Sequence, residues 1–347
     1  MDVSVVIPVK NGVPFINECL EALLKQTFCG NWEICVYDDG STDSTVACVQ
    51  NFIPKFRSRG IDLRISSGVE SGGVGFAKNQ AVRISCGRFI CFCDADDVPQ
   101  PTRLQEQFEM ANSQKNELVF VGSNFQRIPK NSTVRYSKWA TSLKDEQLTL
   151  QVYTSHGPTL IAPTWFISRE LFAKLGGFKD EIRTGFPEDL DFFYRALDLK
   201  DISFCKVDKE LVIYRYHSGC ASLGVSEDAI WTMRIDRFCH RMLPMWKTFT
   251  IWNAGKQGKR FFRSLSDKDR GRVVSFCDVD EKKIRRGWFE DYDEATRTVR
   301  RKLPIIHVKV ARPPLVICVK LDMTGGDLER LVAESQWTEG RDYIHFS

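Results

Sequence analysis

The chain has 347 residues, 43% hydrophobic and 27% charged, which excludes a disordered or fibrous protein and is enough for two cores. No apolar run approaches the roughly 18 residues that cross a bilayer, and the opening MDVSVVIPVKNG lacks the basic and apolar regions of a secretory signal. The net charge of +4 is uneven: residues 241–347 carry 22 Lys and Arg against 15 Asp and Glu, a net of +7, leaving 27 against 30 for residues 1–240.

From the first residue, strand and helix patterns alternate, which predicts a mostly parallel sheet covered by helices. Val3 to Val9 reads as a buried strand and Pro14 to Gln26 as a helix. Trp32 to Tyr37 is a second strand, ending in DDGSTD, whose Ser41-Thr42-Asp43 is N-cap chemistry for a helix running to about Phe52. A strand around Asp62 to Ser66 leads through SGGVG into a helix near Phe76 to Ser85. Arg88 to Cys93 is a short apolar strand with DADD at its carboxyl end. Leu118 to Phe125 reads as a strand, and APTWFISRELFAKLGGF as a strand, a short helix and a Gly-Gly stop. GFPEDLDFFYRALDL is an amphipathic helix with an acidic first turn, Leu211 to Tyr216 is β-rich and ends in His217, and Ile230 to Leu243 closes the domain.

Pro244 marks a boundary, dividing a domain of residues 1–243 from one of residues 244–347. The alternation then restarts: strands at Lys247 to Trp252, Arg272 to Cys277 and Pro314 to Lys320, with helices at NAGKQGKRFFRSL and Gly326 to Ser335. This is a small Rossmann-like α/β unit. The 12 cysteines stand singly, without a CxxC pair, and read as reduced thiols of a cytoplasmic protein. Nothing in the sequence fixes the oligomeric state.

Ligands of open parallel sheets bind beyond the carboxyl ends of the strands, where DDGSTD and DADD both fall. A D-x-D there suits a hard divalent cation, Mn²⁺ or Mg²⁺, together with phosphate oxygens and a ribose hydroxyl. Asp38 or Asp39 can accept the imide N–H of a pyrimidine. Glu188-Asp189 opens a helix, where a carboxylate is placed to take a proton from an attacking alcohol. Lys78 behind GGVG is suited to phosphate, and His217 to metal or phosphate. Each of these also reads as an ordinary turn, cap or structural side chain.

Taken together, VSVVIPVKNG, YDDGSTD, SGGVGFAKNQA, FCDADD, GGF and PEDLDFFYR resemble, in order and spacing, the family 2 glycosyltransferases over residues 1 to about 220. The resemblance implies the GT-A fold, a UDP-sugar donor, a divalent cation and inversion at the anomeric carbon. It implies that Pro8, Val9 and Asp39 line the uracil site, Lys78 approaches the donor, Asp94 meets ribose or metal, Asp96 binds metal, Asp189 is the base and His217 lies by the diphosphate. Asp97 departs from the pattern and leaves Asp96 and Asp97 as alternative metal ligands.

The second domain carries Lys256, Lys259, Arg260 and Arg263 on one helix, Lys282, Lys283, Arg285 and Arg286 on the next, and Arg297, Arg300, Arg301 and Lys302 beyond. Such clusters suit RNA phosphates or simply a solvated face. IWNAGKQGKR followed by Asp278 is an incomplete dinucleotide fingerprint, with Asn253 at the first glycine position. The whole chain, through IWNAGKQGKR, FCDVDEKKI and ARPPLVICVKLDMTGGDLE, resembles glycosyltransferases that place galactose on queuosine in tRNA, earlier described as similar to β-1,3-N-acetylglucosaminyltransferases. That resemblance implies UDP-galactose as donor and queuosine in a tyrosine tRNA as acceptor, while the lack of a long apolar run predicts no membrane partner. The rival readings are N-acetylglucosamine transfer to a galactose-ended glycan and a non-catalytic nucleotide- or RNA-binding module.

Overall fold

The computed structural model describes residues 1–293 and 295–347, which divide into two compact units: residues 1–149 with 157–230, and residues 150–156 with 231–347. Among the described residues no helix is long and apolar enough to cross a membrane.

The first unit is built on eight strands: Val3–Val9 (β1), Trp32–Asp38 (β2), Asp62–Ser67 (β3), Phe89–Phe92 (β4), Val98–Pro99 (β5), Leu118–Ile128 (β6), Phe166–Ser168 (β7) and Ile202–Arg215 (β8). Their order is β3-β2-β1-β4-β7-β6-β8-β5, and only β7 and β5 run against the rest. The central strands β1, β2 and β4 are buried nearly throughout, as strands covered on both faces must be, which is why they read as unbroken Val, Ile and Phe runs. Because β1, β2, β4 and β8 share one direction, Val9, Asp39, Asp94 and His217 all emerge at one edge of the sheet.

Helix packing then fixes what faces that edge. The helix Ile16–Leu24 buries Ile16, Cys19, Leu20 and Leu23, one stripe of a 3.6-residue period. The helix Arg169–Leu175 starts with the Ser168 hydroxyl accepting from the Leu171 N–H and stops at Gly176 and Gly177, both at positive φ, as the sequence predicts. The helix Glu188–Ala196 lays Phe192 and Phe193 into an aromatic cluster, with ring centroids 4.6 Å from Phe178 to Phe192 and 4.8 Å from Phe120 to the fully buried Trp165. Truncating Trp165 to Ala would cost about 3–5 kcal/mol and would release the helix that carries Glu188 and Asp189.

The second unit has a six-stranded sheet of Phe249–Trp252 (β9), Val273–Asp278 (β10), Trp288–Asp293 (β11), Thr298–His307 (β12), Leu315–Ile317 (β13) and Tyr343–His345 (β14), ordered β11-β12-β10-β9-β13-β14. All pairs are parallel except the β11–β12 hairpin, so the core order is that of a doubly wound sheet. The hairpin escapes a sequence reading because its strands, WFEDYD and TVRRKLPIIH, are largely exposed and charged. Residues 150–156 join this unit through Tyr153, whose ring lies 5.9 Å from Phe346 and 5.7 Å from Phe238.

Candidate active site

The edge formed by β1, β2, β4 and β8 gathers seven carboxylates, Asp38, Asp39, Asp94, Asp96, Asp97, Glu188 and Asp189, and one ammonium, Lys78. Asp94 is pushed up to about 6 by burial, against the pull of Lys78 and with the push of Asp96 and Glu188. Asp189 is likewise pushed up to about 6 by burial and by Glu188, while Lys78 and the Leu190 N–H, donating at 2.7 Å, pull it down. Lys78 is itself buried and donates to Glu188 at 3.0 Å. Burial acts to discharge that ammonium, but Glu188, Asp94 and Asp189 outweigh it and hold its pKa above the ordinary value. One buried cation therefore serves three acids on two elements. The sequence placed Lys78 toward a donor phosphate; the structure shows it bound first to Glu188, which leaves Asp189 as the helix-terminal carboxylate without a cation of its own.

The DADD turn separates its carboxylates. Asp97 is 1% exposed and points inward, one oxygen accepting the Arg215 N–H at 2.8 Å and the other without any donor. Burial and the neighbouring Asp94 and Asp96 keep its pKa well above the carboxylate range. Asp96 points the other way, its Oδ2 at 2.8 Å from His217 Nε2, while its carbonyl receives the Arg215 Nε–H. Gly219 N–H donates to His217 Nδ1 at 3.2 Å, turning Nε2 toward Asp96, and the Phe15 ring packs 4.7 Å from the imidazole. Cys220 closes the group: its Sγ accepts the His217 N–H at 3.2 Å, and burial raises its thiol above the ordinary value.

Two sets of ligand atoms lie within 4.8 Å of one another: Asp94, Asp96 and Asp97, and Asp96, His217 and Cys220. Carboxylate and imidazole donors with part-exposed positions fit a divalent cation that also takes phosphate oxygens. Sequence reasoning missed Cys220, although the His-x-x-Cys spacing of HSGC was the signal that could have found it.

At the β2 end, Pro8 and Val9 border Asp38 and Asp39 as expected, but the two carboxylates differ. Asp39 is committed to the glycine loop, accepting from Ser71 Oγ at 2.6 Å, Gly72 N–H at 2.8 Å and Gly73 N–H at 3.0 Å. Asp38 keeps a buried oxygen with no donor. Gly73 has φ +92, and a Cβ there would lie 2.3 Å from the Arg183 carbonyl, so only glycine lets the loop pass. A cavity of about 630 Å³ lined by Arg83, Arg169, Phe172 and Asp180 contains none of these residues.

Residues 4–176 match the sequence profile described as Glycosyl transferase family 2. Over those residues the chain is a glycosyl transferase family 2 protein. An uncharacterized glycosyltransferase of Rickettsia typhi is 27% identical over 217 residues, 61% of this chain and 62% of that protein, so the family 2 chain spans less than two thirds of that relative's length. Among solved structures, Staphylococcus aureus TarS residues 1–349 in complex with UDP-GlcNAc is similar with a TM-score of 0.53 and 21% identity, over 78% of this chain and 72% of that one. A mannosyltransferase of Pyrobaculum calidifontis, in complex with GDP-Man and Mn²⁺, is similar with a TM-score of 0.50 and 18% identity, over 70% and 64%. The first unit of the family 2 chain thus has a GT-A-like α/β fold with a mostly parallel sheet.

In the second unit the predicted cations are unequally free. Arg300 is paired with Asp293 and Asp267, Lys302 with Glu290, Lys283 with Asp278 and Arg285 with Glu281. Arg301 donates to the Asp267 carbonyl, and the Arg260 guanidinium lies over the Trp231 ring at 4.0 Å. Lys256, Arg263, Lys282 and Arg286 are exposed and, among the described residues, have no ion-pair partner. Burial and the surrounding Arg286, Arg263 and Lys283 hold the Lys259 ammonium below its ordinary pKa, so the first two basic clusters converge on one surface. Asp278, the candidate ribose ligand, is taken up by the Ala254, Val279 and Asp280 N–H groups and by Lys283.

Proposed function

We propose that the chain is an inverting, metal-dependent hexosyltransferase that moves galactose from UDP-galactose to queuosine in the anticodon of tyrosine tRNA. The observation that carries the catalytic part is the pairing of Lys78 with Glu188, which leaves Asp189, its pKa about 6, as the acid–base group beside the Asp94–Asp96 turn. In a single displacement the acceptor hydroxyl attacks the anomeric carbon, its proton passes to Asp189, and the bond to the diphosphate breaks with its electrons leaving on UDP. A bound divalent cation, held through Asp96 and His217, would supply charge stabilisation for the departing diphosphate. Asp94 is placed to orient the donor. Lys78 keeps Asp189 ionisable by offsetting the charge of its neighbours. Pro8, Val9 and the free oxygen of Asp38 are the groups suited to a uracil.

For the acceptor, the crowding of Lys259, Arg263, Lys283 and Arg286 supports a polyanion, and the sequence resemblance to queuosine-directed transferases supports a queuosine-bearing tRNA as that polyanion. The test is to incubate the protein with UDP-galactose, Mn²⁺ and queuosine-containing tRNA and to follow the nucleoside mass. One added hexose supports the proposal, and an unmodified nucleoside beside transfer to a free glycan overturns the acceptor.

A second reading, N-acetylglucosamine transfer to a galactose-ended glycan, draws support from the likeness to TarS in complex with UDP-GlcNAc. Substituting UDP-GlcNAc in the same assay, with a galactose-ended oligosaccharide as acceptor, separates the two.

A further inference from the structure

The fan of carboxylates at the end of β4 offers two ways to hold a cation, and they share only Asp96. In the first, Asp94, Asp96 and Asp97 would converge. Yet Asp97 is 1% exposed and already receives the Arg215 N–H, so of that set it is the carboxylate closed to solvent. In the second, Asp96 faces the turn His217-Ser218-Gly219-Cys220. There the imidazole and the Asp96 carboxylate have side chains 26% and 29% exposed, which leaves room for phosphate oxygens.

The turn is organised for this. Cys220 N–H donates to the His217 carbonyl at 3.1 Å, and Cys220 Sγ accepts the His217 N–H at 3.2 Å and points its thiol proton at the Arg215 carbonyl, 3.7 Å away, while staying within 4.8 Å of the Asp96 and His217 ligand atoms. Without metal, the Gly219 N–H contact on Nδ1 leaves Nε2 facing Asp96, and a Cβ on Gly219 would come within 3.2 Å of Nδ1. We propose that the divalent cation is held by Asp96, His217 and Cys220, with the sulfur of Cys220 as a true ligand, and that Asp97 stays outside the coordination shell. This rests on the proposal that the site takes a divalent cation, and it names the atoms that hold it.

On binding, a metal–sulfur bond forms as the S–H bond breaks, and the proton goes to solvent. His217 Nε2 gives its lone pair to the metal, so the neutral ring carries its proton on Nδ1 and gives up the weak contact from Gly219. A carboxylate, an imidazole and a thiolate make a borderline-soft set, which favours Zn²⁺ and Cd²⁺ strongly, and Mn²⁺ only modestly, over Mg²⁺.

The test uses the full chain without any donor. Cd²⁺ is titrated while the ultraviolet sulfur-to-cadmium charge-transfer band is recorded for the wild type and for Cys220→Ser. Exposed Cys29 and Cys86 contribute equally to both, so the difference reports Cys220. Expected is a difference band that saturates at one equivalent, is lost in Asp96→Asn and survives in Asp97→Asn. Mn²⁺ affinity, read from the paramagnetic resonance of the free ion, should fall several-fold in Cys220→Ser, and Zn²⁺ affinity by a larger factor. In Cys220→Asp the Cd²⁺ band should vanish while Mg²⁺ binding strengthens, which shows that the altered turn still folds. Identical bands in wild type and Cys220→Ser, or loss of Mn²⁺ binding in Asp97→Asn but not in Cys220→Ser, would overturn the assignment. A protein that shows the cadmium band but transfers no sugar would refute the proposed activity and leave this site standing.

Discussion

Lys78 and Glu188 stand 110 positions apart in the chain and meet at 3.0 Å, tying the helix Val74–Arg83 to the first turn of the helix Glu188–Ala196. The pair is buried on the lysine side and nearly so on the glutamate side. Lys78 is the counter-charge that meets Glu188, and its field extends to Asp94 and Asp189.

Lys78→Met should therefore act twice. Removing one member of a buried pair leaves an uncompensated charge, and the fold should lose about 3–5 kcal/mol at neutral pH, measured by urea denaturation. The ionisation of Asp94 and Asp189 should also move to higher pH, carrying the rise of the transfer rate with it. Adding Glu188→Gln to the variant should restore much of the stability, and additive losses in that double-mutant cycle would show that the two side chains do not interact.

Asp189→Asn should abolish sugar transfer while leaving UDP binding nearly intact, measured by calorimetry with UDP alone. In the wild type the transfer rate should fall as pH drops through about 6, because the base must be ionised. Loss of UDP binding together with transfer would mean that Asp189 holds the donor.

The same two acids should make the fold less stable as pH rises. Asp94 and Asp189 titrate at about 6 when folded against an ordinary 3.8, so between those values the folded chain binds protons that the unfolded chain has released. Their favourable contribution is complete below about 4 and is lost as pH rises through about 6. Asp94→Asn or Asp189→Asn should raise the melting temperature at pH 7, by an amount on the order of 1–3 kcal/mol of stability, and the advantage should shrink toward pH 5. A variant that melts lower than wild type at pH 7 would show that the carboxylate is stabilising in its ionised form.

Charge reversal in the second unit tests the acceptor. Lys282→Glu with Arg286→Glu, both exposed and without an ion-pair partner among the described residues, should weaken tRNA binding across sequences and lower the steepness of its salt dependence by about 2. UDP binding should not change. An unaltered salt slope would remove this surface from the acceptor path.

How much of this could be read from residues alone follows from the range of the forces involved. β1, β2 and β4 were legible because unbroken apolar runs between turns leave few other solutions, and the Gly176-Gly177 stop because two positive-φ residues must end a helix. The long β8 was only half visible: Ile202–Glu210 carries Lys206, Asp208 and Lys209, and Lys206 is accommodated by the Ala140 and Thr141 carbonyls, a partner no local pattern announces. DADD and PEDLD marked the site, but not its wiring. That Asp97 turns inward to the Arg215 N–H, that Asp39 is committed to Ser71–Gly73, and that Lys78 finds Glu188 are all contacts across the fold, fixed by strand order rather than by spacing.

The brief passage of residues 150–156 into the second unit limits how the chain can be divided. The chain crosses between the units three times, at 149/150, 156/157 and 230/231, so they are interlaced rather than strung end to end. No single cut separates them: a fragment ending near Pro244 would keep Tyr153 and lose Phe346, the ring stacked beside it. Either unit made alone would therefore carry residues 150–156 without their aromatic partners or have a gap where that segment belongs.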